Sequence, residues 1–343
     1  MSETLSLYQE YGIPVRFVDL PKSYTGKSSW PWMAQARQIP ATLPNGDPWP
    51  RITIVTPSYM QGPYLEETVR SVLLQGYPNL EYIIIDGGSS DNSKAILERY
   101  SPYLTYWVSE PDRGQAHAIN KGFERSTGKI MGYLNSDDML LPGALYHIAM
   151  YFSGHPRKMI ASGFRKFYNQ DTKFLKNFMI GLPMNTNIRH YCPVAQEATY
   201  WLRTVWENVG PLDETFQFAM DYEYWLRIIE RGYIFGIIPH YIGAFRDYAS
   251  NKSATWHEVQ EHDLRLLAER YGVSLTIEEL KIRLGKSWAR YYRLLSAITL
   301  HPISNYPRLL IYLEPILRYS IFGQIFLATV NEYFEYRASR CSG

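Results

Sequence analysis

Two neighbouring carboxylates, Asp137 and Asp138, close the run Lys129 to Leu134, which reads as a buried strand. Held side by side they repel each other. A divalent cation would cancel that repulsion and offer a positive centre to phosphate oxygens. A strand residue and its successor point in different directions, so one carboxylate can bind metal while the other reaches a ribose hydroxyl. The same pair would also suit a solvated turn that caps the helix opening at Pro142.

Four further positions carry chemistry. Asp86 follows the apolar run Tyr82-Ile83-Ile84-Ile85 and precedes Gly87-Gly88, where a backbone can approach a ligand closely. Its carboxylate could accept the imide N–H of uracil, or simply build an Asx turn. Tyr59, after Pro57, is placed to stack on a base or to pack in a turn. Asp112-Arg113-Gly114 precedes a helix, so Arg113 could meet a phosphate beside a helix N-terminus, or cap that helix in solvent. Asp221 stands among Met220, Tyr222, Tyr224 and Trp225. A carboxylate in apolar surroundings has a raised pKa and makes a better base, although the position also suits an N-cap.

The elements that must hold these residues alternate. The β-branched run Ile52 to Thr56 reads as a strand, ended by Pro57-Ser58-Tyr59. Leu65, Val69, Val72 and Leu73 mark a helix. The strand at 82–85 is followed by a helix to Tyr100, capped by Ser90 or Asp91. Thr105 to Val108 is a strand, Gly114 to Arg125 a helix, 129–134 a strand. Further on, Phe216 to Trp225 reads as the entry to a helix ending near Arg231-Gly232. This alternation is the pattern of a parallel sheet joined by right-handed crossovers, whose ligands bind beyond the carboxyl ends of the strands. Thr56 to Tyr59, Asp86 and Asp137-Asp138 all stand at such ends.

Residues 1–50, rich in Pro and Trp, read as an extended arm packed on the main domain. Residues 51–253 read as the catalytic α/β domain and 254–343 as a helical C-terminal extension. The net charge of +2 over 343 residues supplies no global drive toward nucleic acid. Cys192 and Cys341 are too few and too far apart for a metal cluster or disulfide framework, which favours a reducing compartment. The first ten residues lack the apolar core of a signal peptide, and the uncharged stretch Tyr319 to Asn331 falls short of a bilayer span. A cytoplasmic protein, soluble or peripheral at the inner face of the plasma membrane, is the expectation. In the C-terminal part Lys281, Arg283, Lys286, Arg290 and Arg293 alternate with Ile282, Leu284, Trp288, Leu294 and Leu295. That pattern suits either contact with anionic lipid headgroups or a helical lid packed on the catalytic domain or on a dimer partner.

The block from Ile52 to Leu140 resembles glycosyltransferase family 2, inverting enzymes of the GT-A fold, of the type that builds bacterial surface polysaccharides. The resemblance is carried by Val55-Thr56-Pro57-Ser58-Tyr59, by Tyr64 to Val69 and by Ile83 to Asp91. It continues in Asp112-Arg113-Gly114-Gln115-Ala116, Asn120-Lys121-Gly122 and Leu134 to Asp138, and later in Asp221 to Arg227. It implies a Rossmann-like nucleotide-sugar-binding fold with a mostly parallel central sheet. It implies that Thr56, Pro57 and Tyr59 line the nucleoside pocket, Asp86 reads the base, Arg113 lies near the donor and Asp137 faces the ribose. Asp138 would hold Mn²⁺ or Mg²⁺ bridging the diphosphate, Asp221 would be the catalytic base, and Gln196 and Glu197 would line the acceptor side. The implied donor is a nucleotide sugar, with UDP first, and the implied acceptor a saccharide or lipid-linked saccharide.

Two positions depart from that family's pattern: Met60 where many relatives carry Asn, and Phe245-Arg246-Asp247-Tyr248 where they read Phe-Arg-x-His. Tyr248 thus replaces a His, and either the contact of that His is absent here or Asp247 supplies it. Two rival functions fit the sequence less well. A nucleotide-sugar pyrophosphorylase needs cations in a Gly-rich loop after the first strand, and Pro57 to Gly62 has none. An inactive nucleotide-sugar-binding scaffold would have lost the metal or base carboxylate, and both are present.

Overall fold

The computed structural model describes residues 14–22, 30–33, 36, 39–169, 175–177, 188, 192 and 194–273. The basic segment and the apolar stretch of the C-terminal part therefore lie outside the described residues.

Strand β1 (Ile52–Ser58) is followed by α1 (Gly62–Leu73), β2 (Leu80–Asp86), α2 (Ser93–Tyr100), β3 (Tyr106–Ser109), α3 (Gln115–Arg125) and β4 (Ile130–Tyr133). These strands pair in parallel in the order β3-β2-β1-β4. The alternation of strand and helix thus delivers the expected crossovers. The sheet continues through β5 (Met139–Leu140), β6 (Ile160–Asn169), β7 (Leu175–Asn177), β8 (Thr199–Leu202) and β9 (Phe235–Asp247), in the order β4-β8-β6-β9-β5 with β7 on β6. Here β6 and β9 run parallel over a long register, while β8, β7 and β5 join antiparallel.

Burial explains why the strands read as unbroken apolar runs. Ile52, Ile54, Tyr82, Ile84 and Ile130 pack on one face, with Leu65, Val69 and Val72 of α1 and with Leu145 and Ile148 of α4 (Ala144–Gly154). Val55, Ile83, Ile85, Met131 and Tyr133 pack on the other. There they meet Ile119 and Phe123 of α3, Val205 of α5 (Arg203–Val209) and Tyr224 and Trp225 of α6 (Met220–Glu230). A strand covered on both faces keeps its period-2 alternation but has no polar side to show it. Each fully buried aliphatic side chain stabilises this sandwich by about 1.5–3 kcal/mol.

Asp91, one of the two expected caps, works from one position before the N-cap Asn92. One carboxylate oxygen accepts the amide of Ser93 at 2.9 Å and the other the amide of Gly62 at 2.8 Å, so one side chain starts both α2 and α1. Parts of the segment before β1 pack against α1 and its C-terminal end. Arg70, 2% exposed, donates to the carbonyls of Pro21 and Pro31 at 3.1 and 3.3 Å, and the amide of Ala36 donates to Leu74. After β9 come the short α7 (Lys252–Thr255) and α8 (His257–Tyr271). No helix among the described residues is long and apolar enough to cross a membrane.

Candidate active site

Register sets the site. Ser58 stands opposite Asp86, and Asp86 opposite Ser109, so the carboxyl ends of β1, β2 and β3 form one edge. The chain after β4 turns at that same edge, and residues 135–138 are this turn.

The acidic pair is deeply placed. Asp138 is 2% exposed; its Oδ1 accepts the amide of Arg246 at 3.0 Å, and Asn135 Nδ2 approaches its Oδ2 at 3.5 Å. Burial first, then the charges of Asp137 and Glu197, hold its carboxyl well above the ordinary range. Burial also raises Asp137, against the hydrogen bond from Tyr248. Arg246 and Tyr248 reach the pair because β9 runs antiparallel to β5, with Met139 opposite Ala244. The Arg246 guanidinium donates Nε to the Asp137 carbonyl at 2.6 Å and Nη2 to Glu67 at 3.0 Å. At the position where the sequence pattern expects a His, the Tyr248 hydroxyl donates to Asp137 Oδ2 at 2.8 Å.

These groups suit a cation only if the ligand brings oxygens of its own. Among the described residues no cluster of three or more His, Cys, Asp and Glu side chains could hold a metal by itself. Each of the two carboxylates nevertheless keeps one oxygen without a full-strength hydrogen bond, and both are pushed toward protonation by burial. Mg²⁺- and Mn²⁺-type sites commonly use one or two carboxylates plus substrate phosphates and waters, and the donor set fits that arrangement.

Asp86 is fully buried. Its carboxylate accepts the Ser89 amide at 2.9 Å, the Ser89 hydroxyl at 2.6 Å and the Ser109 hydroxyl at 2.7 Å. Ser89 also accepts the Met60 amide at 2.8 Å, which ties Asp86 to the loop bearing Tyr59. Tyr59 is 65% exposed, an open aromatic face at the cleft rim. Pro57 is buried in β1, and the Thr56 hydroxyl lies inward, sharing a 3.1 Å hydrogen bond with Tyr82, so both form the floor beneath that loop. Arg113 is turned outward and bound to Glu214 at 2.7 and 3.0 Å. Its side chain is 68% exposed.

Asp221 opens α6 half-buried, with its Oδ1 accepting the Tyr222 amide at 2.8 Å. Burial raises its carboxyl, and Arg165 and Lys252 pull it back down. Gln196 and Glu197 sit on the short 3₁₀ turn before β8. Gln196 bridges the acidic turn, donating to the Tyr133 carbonyl at 2.7 Å and accepting from Asn135 at 3.1 Å. Glu197 is paired with Arg165 at 2.6 Å.

Sequence reasoning missed Lys252. It lies between the two acidic centres, donating to Gln115 Oε1 at 2.9 Å and to the Gln217 carbonyl, and stacking on Trp256. Burial lowers its ammonium to about 8, against the charges of Asp221, Asp263 and Asp137. Gln115 in turn donates to Asn135 at 2.7 Å, so Lys252, Gln115, Asn135 and Gln196 form one polar wall. No local motif marks Lys252; only its proximity in space does.

Comparison with known proteins bears on the family and the fold. Residues 53–202 match the model of the family described as glycosyl transferase family 2, and that stretch is a domain of this family. The chain is 39% identical over 94 residues to the putative teichuronic acid biosynthesis glycosyltransferase TuaG of Bacillus subtilis (strain 168), covering 26% of this chain and 36% of TuaG. It is 26% identical over 195 residues to an uncharacterised glycosyltransferase of Rickettsia bellii (strain RML369-C), covering 52% of this chain and 27% of the relative. The chain thus spans well under half the length of these relatives. Among solved structures, S. aureus TarS residues 1–349 in complex with UDP-GlcNAc superposes with a TM-score of 0.50 at 15% identity, over 64% of this chain and 66% of that one. That likeness is one of fold, the GT-A α/β arrangement expected from the sequence.

Proposed function

We propose that this protein is an inverting, metal-assisted glycosyltransferase that moves one sugar from a nucleotide sugar to a hydroxyl of a saccharide or lipid-linked saccharide. The observation that carries the reading is the convergence on one sheet edge of an aromatic-lined loop tied to Asp86, a buried acidic pair, and a half-buried carboxylate, Asp221, facing them across Lys252. UDP-sugars lead the candidate donors, in keeping with the ligand of the like-folded TarS, and the similarity to TuaG, a putative teichuronic acid biosynthesis glycosyltransferase, supports a role in polysaccharide synthesis.

In this reading Tyr59 stacks on the base, the Asp86 loop addresses its edge and Asp137 meets the ribose. Asp138 is the residue that would hold Mn²⁺ or Mg²⁺, which when bound supplies positive charge to the diphosphate oxygens. Lys252 adds a second positive charge at the edge of the cleft, where negative charge grows on the leaving group. Asp221 accepts the proton of the acceptor hydroxyl as that oxygen attacks the anomeric carbon from the face opposite the diphosphate. The new C–O bond forms as the bond to the diphosphate breaks, and the configuration inverts. General bases of this kind contribute about 10²–10⁴-fold. Gln196 and the Glu197–Arg165 pair border the acceptor side.

A panel of nucleotide sugars, assayed for thermal stabilisation and hydrolysis with and without Mn²⁺, tests the reading. It expects one donor to respond and the response to vanish with chelator and in Asp138→Ala. Silence toward every donor, with acceptor mixtures present, would overturn it and favour an inactive scaffold.

A further inference from the structure

Three consecutive residues of the N-terminal segment grip the frame around the acidic pair. The indole N–H of Trp30 donates to the Leu140 carbonyl at 2.8 Å, two residues beyond Asp138. The Pro31 carbonyl accepts from Arg70. The indole N–H of Trp32 donates to Glu67 Oε1 at 2.8 Å, and the other Glu67 oxygen accepts from Arg246 at 3.0 Å. Arg246 then meets the Asp137 carbonyl through Nε and Asp138 Oδ1 through its backbone amide. Trp32, Glu67 and Arg246 are all at most 5% exposed. The guanidinium is clamped between the rings of Tyr64 and Tyr168, 4.9 and 5.0 Å away.

The same helix supports the turn from below. Thr68 Oγ1 reaches the Ser136 and Asp138 carbonyls at 2.8 and 2.7 Å, Ser71 Oγ accepts the Leu140 amide at 3.1 Å, and Gln75 donates to the Leu141 carbonyl at 3.0 Å. Positions 68 and 71 share one face of α1, and Gln75 follows just beyond its end. Residues 136–141 therefore hang on α1, and α1 hangs on the Trp30–Trp32 segment.

We infer that Trp32, acting through Glu67 and Arg246, is a positioning residue for the acidic pair, so that the segment before the catalytic domain sets how tightly that pair takes a divalent cation and a nucleoside diphosphate. This inference rests on the transferase reading for its ligand. The physical reason is that two adjacent, desolvated carboxylates repel. Their separation is fixed only as firmly as the Arg246 guanidinium and backbone that hold them. Arg246 in turn is aimed by Glu67, whose rotamer the indole N–H fixes. Groups one step behind metal ligands typically change metal affinity about 10–100-fold when altered.

The test compares Trp32→Phe with Trp49→Phe in the full chain. Trp49 belongs to the same segment and makes an equivalent indole bond, to the Pro40 carbonyl at 2.7 Å, but has no link to the relay. Titrations with Mn²⁺, with UDP plus Mn²⁺ and with uridine are read alongside melting temperature. Trp32→Phe should weaken Mn²⁺ and UDP–Mn²⁺ binding about 10-fold and leave uridine binding unchanged, and Trp49→Phe should lower only the melting temperature. Glu67→Gln, which keeps the side-chain shape, should repeat the Mn²⁺ effect and serves if Trp32→Phe does not fold. Equal Mn²⁺ and UDP affinities in the three folded proteins would overturn the inference. Failure of the wild-type protein to bind UDP or Mn²⁺ would instead overturn the transferase reading. Hydrogen exchange of residues 135–141 then decides the relay: faster in Trp32→Phe than in Trp49→Phe supports it, and equal rates overturn it.

Discussion

The Tyr248 hydroxyl donates to Oδ2 of Asp137 at 2.8 Å, which gives the acidic pair a neutral hydrogen-bond donor from just past the end of β9. Tyr64 packs against the same ring, with centroids 4.7 Å apart, so the hydroxyl is held in place rather than free to swing. Tyr248→Phe keeps the ring and removes the donor. Hydrogen bonds to charged groups contribute about 1.5–3 kcal/mol, so the variant should show a donor KM raised by about 10-fold with a smaller change in kcat. Steady-state rates over a donor series check this, and an unchanged KM would mean that Asp137 does not depend on Tyr248.

Asp221 has a carboxyl raised by burial. As a base it works only when ionised, so the acid limb of kcat/KM should lie above the ordinary carboxylate range. Asp221→Asn should retain donor binding and lose about 10²–10⁴ of turnover. The sign for stability runs the other way. Because the folded-state value exceeds the unfolded one, the folded chain binds more protons between the two, and stability falls as pH rises through that window. The variant should therefore melt at or above the wild-type temperature at pH 7, and the gap should close below about pH 4, the unfolded Asp value.

Lys252 loses its charge near pH 8. If it supports the leaving diphosphate, turnover should fall above that pH, and Lys252→Met should be slow at every pH with that alkaline limb gone. A pH–rate profile of both proteins from 6 to 10 reads the difference directly. Stability should move oppositely in the wild type. Its depressed ammonium leaves the folded state with fewer protons than the unfolded one between about 8 and the ordinary lysine value, so stability rises with pH across that window.

Glu81 offers a control remote from the acidic pair. Its carboxylate accepts Thr53 Oγ1 at 2.5 Å, the Thr127 amide and hydroxyl at 2.8 Å each and the Gly128 amide at 3.0 Å, with Arg51 at 3.5 Å. Burial pushes the carboxyl up, but the Thr53 and Thr127 bonds and the Arg51 charge prevail and hold it below its ordinary value. Glu81→Ala strands several buried donors and should destabilise by about 3–5 kcal/mol with donor KM unchanged, as measured by urea unfolding and kinetics. With the folded-state value lowered, this contribution is present above the unfolded Glu value and is lost as pH falls through the folded one.

The parallel half of the sheet was legible because its strands are short apolar runs, β-branched or aromatic in the main, punctuated by Asp, Gly and Pro, and because crossovers have one hand. The residues that end those strands could be placed on one edge without knowing any distance. What could not be read were contacts closed by β9 and α7. Arg246 meets Asp138 across 108 positions and Lys252 meets Gln115 across 137, and neither pairing leaves a periodic or compositional trace. Arg113 shows the opposite case: its neighbourhood to a helix start was clear, but the nearby Glu214 that engages it belongs to a distant loop. The expected directions of Asp137 and Asp138 rested on strand geometry, whereas both belong to a turn that takes its shape from Thr68 and Arg246.

Met60 adopts φ of 55°, in the left-handed region where a side chain without a local polar contact is disfavoured and Asn is at ease. Its sulfur accepts from the Ser90 amide and hydroxyl at 3.4 Å each, a weak substitute for the bonds an Asn side chain could make there. The loop that carries Tyr59 is thus wound tighter than its sequence prefers and is kept so by Ser89 and Ser90. If a nucleoside enters the cleft as proposed, it meets a loop already wound, so little of its binding free energy goes into ordering that loop, and a Met60→Gly loop, free to sample other conformations, would bind the nucleoside more weakly.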